Sequence, residues 1–398
     1  MTVPKKVSIL GATGSVGQTT RHLVAEYREQ FEVVALAGNQ NAALMIETAL
    51  DLRPTFVAMA DAKAARQVMD GLAGTGIEVG YGSAAVLEAA QRPADWIMAA
   101  IVGAAGLAPT LTAVRQGVTV ALANKESLVC AGVLFTEECK RSGGCLLPVD
   151  SEHNAIFQVF DFQSPESVER IILTASGGPF RSSTLDEMAK ATVVDALKHP
   201  NWDMGSKITI DSATMFNKGL ELIEASFLFP VKHSAIDIVV HPQSIIHSLV
   251  DYKDGSTLAQ LGVPDMRTPV AVALFWPKRA TSTPDRLNLA TVGTLTFEKP
   301  DEERFPAIRL SREALAQGGT APVILNAANE VAVSAFLASE IGFLDIAGVV
   351  EDCLSVEPIA ALEDLDTVWS ADNSARRAAE KLVARRQYSI RRKSTAAL

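Results

Sequence analysis

The stretch LLPVDSEHNAIFQ, residues 146–158, sets two carboxylates, Asp150 and Glu152, at alternate positions after an apolar run and a proline. In an extended segment residues i and i+2 project to the same side, so the pair would enter one cleft together. Two carboxylates that close repel and raise one another's pKa unless a cation lies between them. Mg²⁺ or Mn²⁺ is the natural neutraliser, because each accepts carboxylate oxygen and water and leaves positions for a substrate hydroxyl and carbonyl. Taken alone, such a pair is more often a solvated strand end. A third ligand would change that balance.

A second cluster supplies candidates. HPNWDMGSKITIDSATMFNKGLELIEA, residues 199–225, gathers His199, Lys207, Ser212, Asn217 and Lys218 and closes with Glu221 and Glu224. Hydroxyl, amide and ammonium groups at a turn before a helix suit a phosphate ester, which accepts hydrogen bonds and needs positive charge. Upstream, LTASGGPFR adds Ser176 and two glycines that let a backbone come near a ligand.

The third chemical motif is VSILGATGSVGQTT, with Gly11, Gly14 and Gly17 between a predicted strand and a predicted helix. A turn without Cβ atoms lets backbone N–H groups approach a pyrophosphate, and the helix dipole favours its charge. The spacing is G-x-x-G-x-x-G, and the second strand ends in ALAGNQN without the acid that would hold a free ribose 2′-hydroxyl. Such an acid would repel a 2′-phosphate, so its absence beside Gly38, Asn39, Gln40 and Asn41 favours NADP over NAD.

These motifs need elements to position them. From Lys6 to about Pro148, β-rich runs (KVSIL, FEVVALAG, TFVAMA) alternate with helix-like stretches such as Gln18 to Tyr27 and Ala42 to Asp51. That alternation implies a parallel sheet with helices on both faces, an α/β, Rossmann-like NADP-binding domain over residues 1–149. Residues 150–277, with RIILTAS, KITID, IDIVVHP and STLAQLG as expected strands, read as a central α/β or α+β catalytic domain. Residues 278–306, rich in Thr, Pro and Asp, read as a connecting segment, and helical periodicity over 307–398 predicts a C-terminal helical bundle.

At 398 residues the chain exceeds one ordinary core. Its 36 Lys and Arg against 46 Asp and Glu, a net charge of -10, argue against nucleic acid as a partner. The basic run RRQYSIRRK reads as a solvated, frayed tail. WIMAAIVGAAGLA is too short and too glycine-rich to span a bilayer, and the first residues lack a signal-peptide core, so a cytoplasmic protein with no membrane partner is expected. Cys130, Cys139, Cys145 and Cys353 lack metal-ligand spacing and read as small buried residues.

The chain resembles the 1-deoxy-D-xylulose 5-phosphate reductoisomerase family over essentially its whole length. Five motifs in order carry the likeness: GATGSVG, ALANKESLV, LLPVDSEHNAIFQ, TASGGPFR and HPNWDMGSKITIDSATMFNKGLE. The resemblance implies an NADPH-dependent enzyme that also needs one divalent cation, Mn²⁺, Mg²⁺ or Co²⁺. It converts a sugar phosphate, 1-deoxy-D-xylulose 5-phosphate, to 2-C-methyl-D-erythritol 4-phosphate, and acts as a homodimer. Asp150, Glu152 and Glu221 match the metal ligands. Lys125, Ser151, Ser176, His199, Ser212, Asn217 and Lys218 match substrate contacts. Thr13, Gly14, Ser15, Val16, Gly38, Asn124, Glu126 and Gly205 match cofactor contacts. A closing loop corresponds to about residues 196–206, with Trp202 over the substrate and Met204 near the cofactor. GNQN departs from the basic version many members carry, which leaves the 2′-phosphate contacts of Asn39, Gln40 and Asn41 open. Asn154 stands where Ser is common.

Each residue also has a plainer reading. Lys125 follows a strand end, where lysines usually snorkel to solvent. His199 could be a loop histidine and Trp202 ordinary core, although the polar, glycine-containing surroundings of Trp202 suit a mobile lid. Glu224, His241 and His247 read as structural. Alternation along an extended segment would turn His153 away from the carboxylates. Another two-domain oxidoreductase, such as a homoserine dehydrogenase, would share the glycine loop without needing the three acids. A nucleotide-sensing or interaction protein would keep the dinucleotide fold without chemistry, and the intact DSE and NKGLE motifs speak against it.

Overall fold

The structure, a computed structural model, describes residues 3–198, 202, 205–281 and 285–396. Packing divides the chain into two units. Met1–Leu128, Gly132–Phe157 and Asp265–Arg286 form the first; Val129–Ala131, Gln158–Pro264 and Leu287–Leu398 form the second.

The first unit alternates strand and helix: β1 (Lys5–Leu10), α1 (Ser15–Glu26), β2 (Phe31–Gly38), α2 (Ala42–Leu52), β3 (Phe56–Met59), α3 (Ala62–Gly71), β4 (Glu78–Tyr81) and α4 (Gly82–Gln91). It continues through β5 (Trp96–Ala99), α5 (Leu107–Arg115), β6 (Thr119–Leu122), α6 (Lys125–Ser142), β7 (Cys145–Pro148) and α7 (Ser151–Val159). All seven strands are parallel, in the order β4-β3-β2-β1-β5-β6-β7. Wholly apolar runs such as FVAM and WIMA have every side chain buried, as a sheet covered on both faces requires. Strand order reverses around β1, so a crevice opens beyond the carboxyl ends of β1 and β5. The glycine loop, Gly38 to Asn41, Lys125 and Asp150 all follow carboxyl ends of strands in this sheet.

The second unit begins with β8 (Val168–Ala175) and the short helices α8 (Leu185–Met188) and α9 (Val193–Ala196), then α10 (Ser206–Thr214) and α11 (Phe216–Leu228). Strands β9 (Ile236–Val240), β10 (Ile246–Tyr252) and β11 (Thr257–Leu261) complete a mixed sheet in the order β11-β10-β8-β9. Only β8 and β9 run parallel in it.

Helix α12 (Arg267–Phe275) belongs to the first unit, where it packs on α1, β6 and β7. The Trp96 indole N–H donates to the Ala273 carbonyl at 2.9 Å inside that core. The remaining helices return to the second unit: α13 (Leu289–Val292), α14 (Ala307–Gln317), α15 (Ala321–Leu337), α16 (Asp345–Val356) and α17 (Leu365–Ala396). α14 packs on α11, and α15 packs on α10, α16 and α17.

Several expectations change. By packing, residues 151–157 and 265–277 go with the first unit, and residues 307–398 share a unit with 158–264, so the boundaries drawn at 149, 277 and 307 are not those of the contacts. KITID is part of α10: its β-branched alternation imitates a strand, but Thr209, Ile210, Ala213 and Thr214 are buried together on one helical face. The supposed frayed tail continues α17 to Ala396. Cys130 and Cys353 are buried, whereas Cys139 is half-buried and Cys145 exposed at the start of an outer strand.

Candidate functional site

In the first unit the glycine loop is shaped by close approach. Gly11 has φ 93°, and a Cβ there would lie 2.3 Å from the Ala100 oxygen; one on Gly17 would lie 2.2 Å from the Gly11 oxygen. Gly14 has an ordinary φ of -82° and opens α1 with no side-chain cap. Gly14 and Ser15 are exposed and Thr13 and Val16 half-buried. The first-turn N–H groups of α1 therefore face outward at the positive end of its dipole, an arrangement fit for a phosphate. Asn39, Gln40 and Asn41 are exposed, and the Asn41 carbonyl caps α2 by accepting the Leu44 N–H at 3.1 Å. That cap engages the Asn41 carbonyl oxygen and not its amide N–H groups.

Asn124 is buried and works as scaffold. Its carbonyl accepts the Ser127 N–H at 2.6 Å and hydroxyl at 2.7 Å, which caps α6, while its amide donates to the carbonyls of Ile101 and Gly103. This cap aims the first residue of α6, Lys125, whose ammonium donates to Asp150 at 2.9 Å. Both side chains are largely shielded, at 13% and 18% exposure, so the charges compensate one another rather than extending into solvent. Glu126, half-buried, lies in the same first turn, where its charge suits the dipole.

Asp150 and Glu152 are not on an extended segment. The chain turns at Asp150 and α7 starts at Ser151, so Glu152 stands in the first helical turn. The Glu152 N–H reaches Asp150 Oδ1 at 3.3 Å, and the Ser151 hydroxyl donates to Glu152 at 2.6 Å. Helical rotation also reverses the expectation for His153, which is fully buried with Nδ1 3.5 Å from Asp150 Oδ1. The missed signal was D-S-E, an acid-rich helix start, set against the strand alternation assumed instead. Asn154 donates to the Pro148 carbonyl at 2.8 Å and to that of Pro269 at 3.3 Å, tying the end of β7 to α12.

In the second unit β8 delivers Ser176 to α10. The Ser176 hydroxyl lies 3.5 Å from that of Ser212 and accepts the Gly178 N–H at 3.2 Å. Gly178, at φ 64°, has no room for a Cβ, which would meet the Ser212 oxygen at 2.8 Å. Gly178 thus seats the loop on α10 rather than merely clearing space for a ligand. Met215, at φ 67°, breaks α10 from α11 with a left-handed residue, a conformation that costs a non-glycine about 1–2 kcal/mol. The break puts Ser212 in the last turn of one helix and Asn217 and Lys218 in the first turn of the next. A helix dipole, an amide and an ammonium then share one helix start. Glu221, one turn on, is fully buried; the Asn217 amide donates to it at 2.5 Å and the Lys218 ammonium also donates to it. Glu224 is buried as well.

His199 and Met204 lie outside the described residues. Gly205 is exposed at the start of α10. Trp202 is half-buried, its ring 6.3 Å from the His247 imidazole, and His247 Nε2 is 3.2 Å from the Gly262 carbonyl. His241 is structural: Nε2 accepts the Ile245 N–H at 3.2 Å, which leaves Nδ1 as donor to the Thr296 carbonyl at 2.9 Å.

Three family models match the chain. One described as 1-deoxy-D-xylulose 5-phosphate reductoisomerase covers residues 7–132, its C-terminal domain covers residues 146–229, and a DXP reductoisomerase C-terminal domain covers residues 261–378. The 1-deoxy-D-xylulose 5-phosphate reductoisomerase of Rhodospirillum centenum is 57% identical over 380 residues, 96% of this chain and 94% of its own. That of Caulobacter vibrioides is 53% identical over 395 residues, 97% and 98% of the two chains. Among solved structures, the Zymomonas mobilis reductoisomerase in complex with NADPH superposes with a TM-score of 0.92 at 48% identity, covering 96% of this chain and 99% of the other. A reductoisomerase in complex with NADPH, fosmidomycin and magnesium matches with a TM-score of 0.91 at 39% identity, covering 96% and 98%.

Proposed function

The chain belongs to the 1-deoxy-D-xylulose 5-phosphate reductoisomerase family, and from that premise we propose how its residues divide the work. The reaction is NADPH- and divalent-metal-dependent: 1-deoxy-D-xylulose 5-phosphate rearranges to a branched aldehyde phosphate, and reduction then gives 2-C-methyl-D-erythritol 4-phosphate for isoprenoid precursors. Thr13 to Val16 take the cofactor pyrophosphate on the open start of α1, with Gly38 to Asn41 at its ribose and Glu126, Met204 and Gly205 as further contacts. Asn124 acts through the loop it ties at Ile101 and Gly103 and through the direction it gives Lys125.

Asp150, Glu152 and Glu221 hold one divalent cation. Their donors are all carboxylate oxygens, a hard set that fits Mg²⁺, Mn²⁺ or Co²⁺. When bound, that ion draws charge from neighbouring carbonyl and hydroxyl oxygens and makes the hydroxyl more acidic. The carrying observation is that each unit keeps its acid beside an ammonium, Lys125 with Asp150 and Lys218 with Glu221. Lys125 then supplies positive charge where an alkoxide develops. Ser151 touches the substrate beside Glu152, and Ser176, His199, Ser212, Asn217 and Lys218 grip the phosphate, whose contacts orient the reacting end. Trp202 covers it and limits water.

The exposed edge strand β11, with Leu258 48% and Leu261 36% exposed, supports a homodimer joined near residues 236–260. NADPH use and four free cysteines support a cytoplasmic setting. Among the described residues no helix is long and apolar enough to cross a membrane. The decisive assay follows NADPH oxidation by the pure protein with 1-deoxy-D-xylulose 5-phosphate and Mn²⁺. Turnover that stops on chelation and returns with metal supports the reading; unchanged turnover after chelation rejects it.

A further inference from the structure

Asp211 has no place in the chemistry above, yet it is only 2% exposed in the middle of the nine-residue helix α10. A buried carboxylate is costly unless both its oxygens find partners. Lys207, one turn earlier, meets Oδ2 at 2.6 Å from the solvent side, and Asn329 of α15 donates its amide to Oδ1 at 2.8 Å from the core side. Asn329 is itself wholly buried, and its own carbonyl has no partner among the described residues. The bond to Asp211 therefore sets which way the Asn329 amide faces. An apolar pair of the same volume would stabilise the junction as well or better, so stability alone does not account for it.

What the bond fixes is direction. A nine-residue helix with no side-chain cap at Gly205 is marginal by itself, so packing partners set its rotation. Asp211 is followed immediately by Ser212, and consecutive helical residues are held about 100° apart. Pinning Asp211 inward on α15 therefore sets where the Ser212 hydroxyl points, 3.5 Å from Ser176.

We propose that Asn329 is a positioning residue for the anionic end of the substrate: through Asp211 it fixes the rotation of α10 that aims Ser212 at the phosphate. The inference rests on the phosphate reading of Ser176, Ser212, Asn217 and Lys218. Lys207 balances the Asp211 charge and leaves the amide bond to supply the geometry.

The test compares the full-length parent, Asn329→Leu, and the exchange protein Asn329→His, in which an imidazole N–H takes the place of the amide donor while Asp211 keeps Lys207 as its counter-charge. Asn329→Leu should raise KM for the sugar phosphate about tenfold, the scale of one lost bond to a charged group. Its kcat and KM for NADPH should stay within about twofold, and the exchange protein should recover most of the KM loss, as rescue of a directed bond requires. An unchanged KM in Asn329→Leu, or an exchange protein no better than it, overturns the inference. Should Asn329→Leu not fold, Asn329→Ser with hydrogen exchange over residues 206–218 decides: added fosmidomycin should protect that stretch in the parent and much less in the variant, and equal protection overturns the proposal. A parent that does not turn over the sugar phosphate would sink the functional reading itself, a different result from an active parent with an indifferent Asn329.

Discussion

The acidic groups of the two units are held in different ways. In the first unit Asp150 and Glu152 stand where a strand end turns into α7, partly exposed, with Lys125, Ser151 and the helix start around them. In the second, Glu221 is fully buried inside α11, held by Asn217 and by an ammonium that is itself 4% exposed. Charge at a helix start is stabilised by the backbone and by water that still reaches it. Charge inside a packed helix depends on its immediate partners, and removing one of them leaves a buried ion. The first unit should therefore lose an acid at less cost to folding than the second, whose acid is tied to the integrity of its core.

The largest expected effect separates function from folding. Asp150→Asn should lower turnover about a thousandfold, several kcal/mol of lost transition-state stabilisation, with an unfolding midpoint close to that of the parent. A large fall in the midpoint would break the contrast. Glu221→Gln should weaken both: turnover at limiting metal falls about a hundredfold, NADPH affinity is nearly intact, and the protein unfolds earlier in denaturant because Lys218 loses its carboxylate. Full activity at limiting Mn²⁺ would remove Glu221 from the site. Lys218→Met sharpens the comparison from the other side. Stripping the ammonium from Glu221 should cost about 3–5 kcal/mol of stability, and Mn²⁺ should restore more of it than it adds to the parent, since a bound cation replaces the missing charge. Equal metal stabilisation of both proteins would contradict that. Asn154→Ser is the smallest change: it should cost about 1 kcal/mol by loosening the β7 to α12 tie, with kcat unchanged.

The same contrast explains how far the sequence could be read. The first unit was legible because its rules are local: apolar runs, a glycine turn and a helix recur in order, and FEVVALAG forms β2 from Phe31 to Gly38 as written. Alternation failed where a helix starts without a strong break. Read as extended, D-S-E-H predicts the wrong side for His153. KITID alternates β-branched residues as a strand does, while the partners that bury one face of it as a helix include α15, more than a hundred residues away. The return of α12 to the first unit depends on contacts such as Trp96 with Ala273, which no local pattern announces. Residue identities at the site were legible through the five motifs; the shared helix start of Asn217 and Lys218 required the left-handed turn at Met215.

We propose that Asp150, Glu152 and Glu221 share a single cation, and Mn²⁺ binding by the parent, Asp150→Asn and Glu221→Gln tests it most directly. Equilibrium titration should give one Mn²⁺ per parent chain, and each substitution, one in either unit, should weaken that same site at least tenfold. One Mn²⁺ bound with parental affinity in either variant would contradict the account.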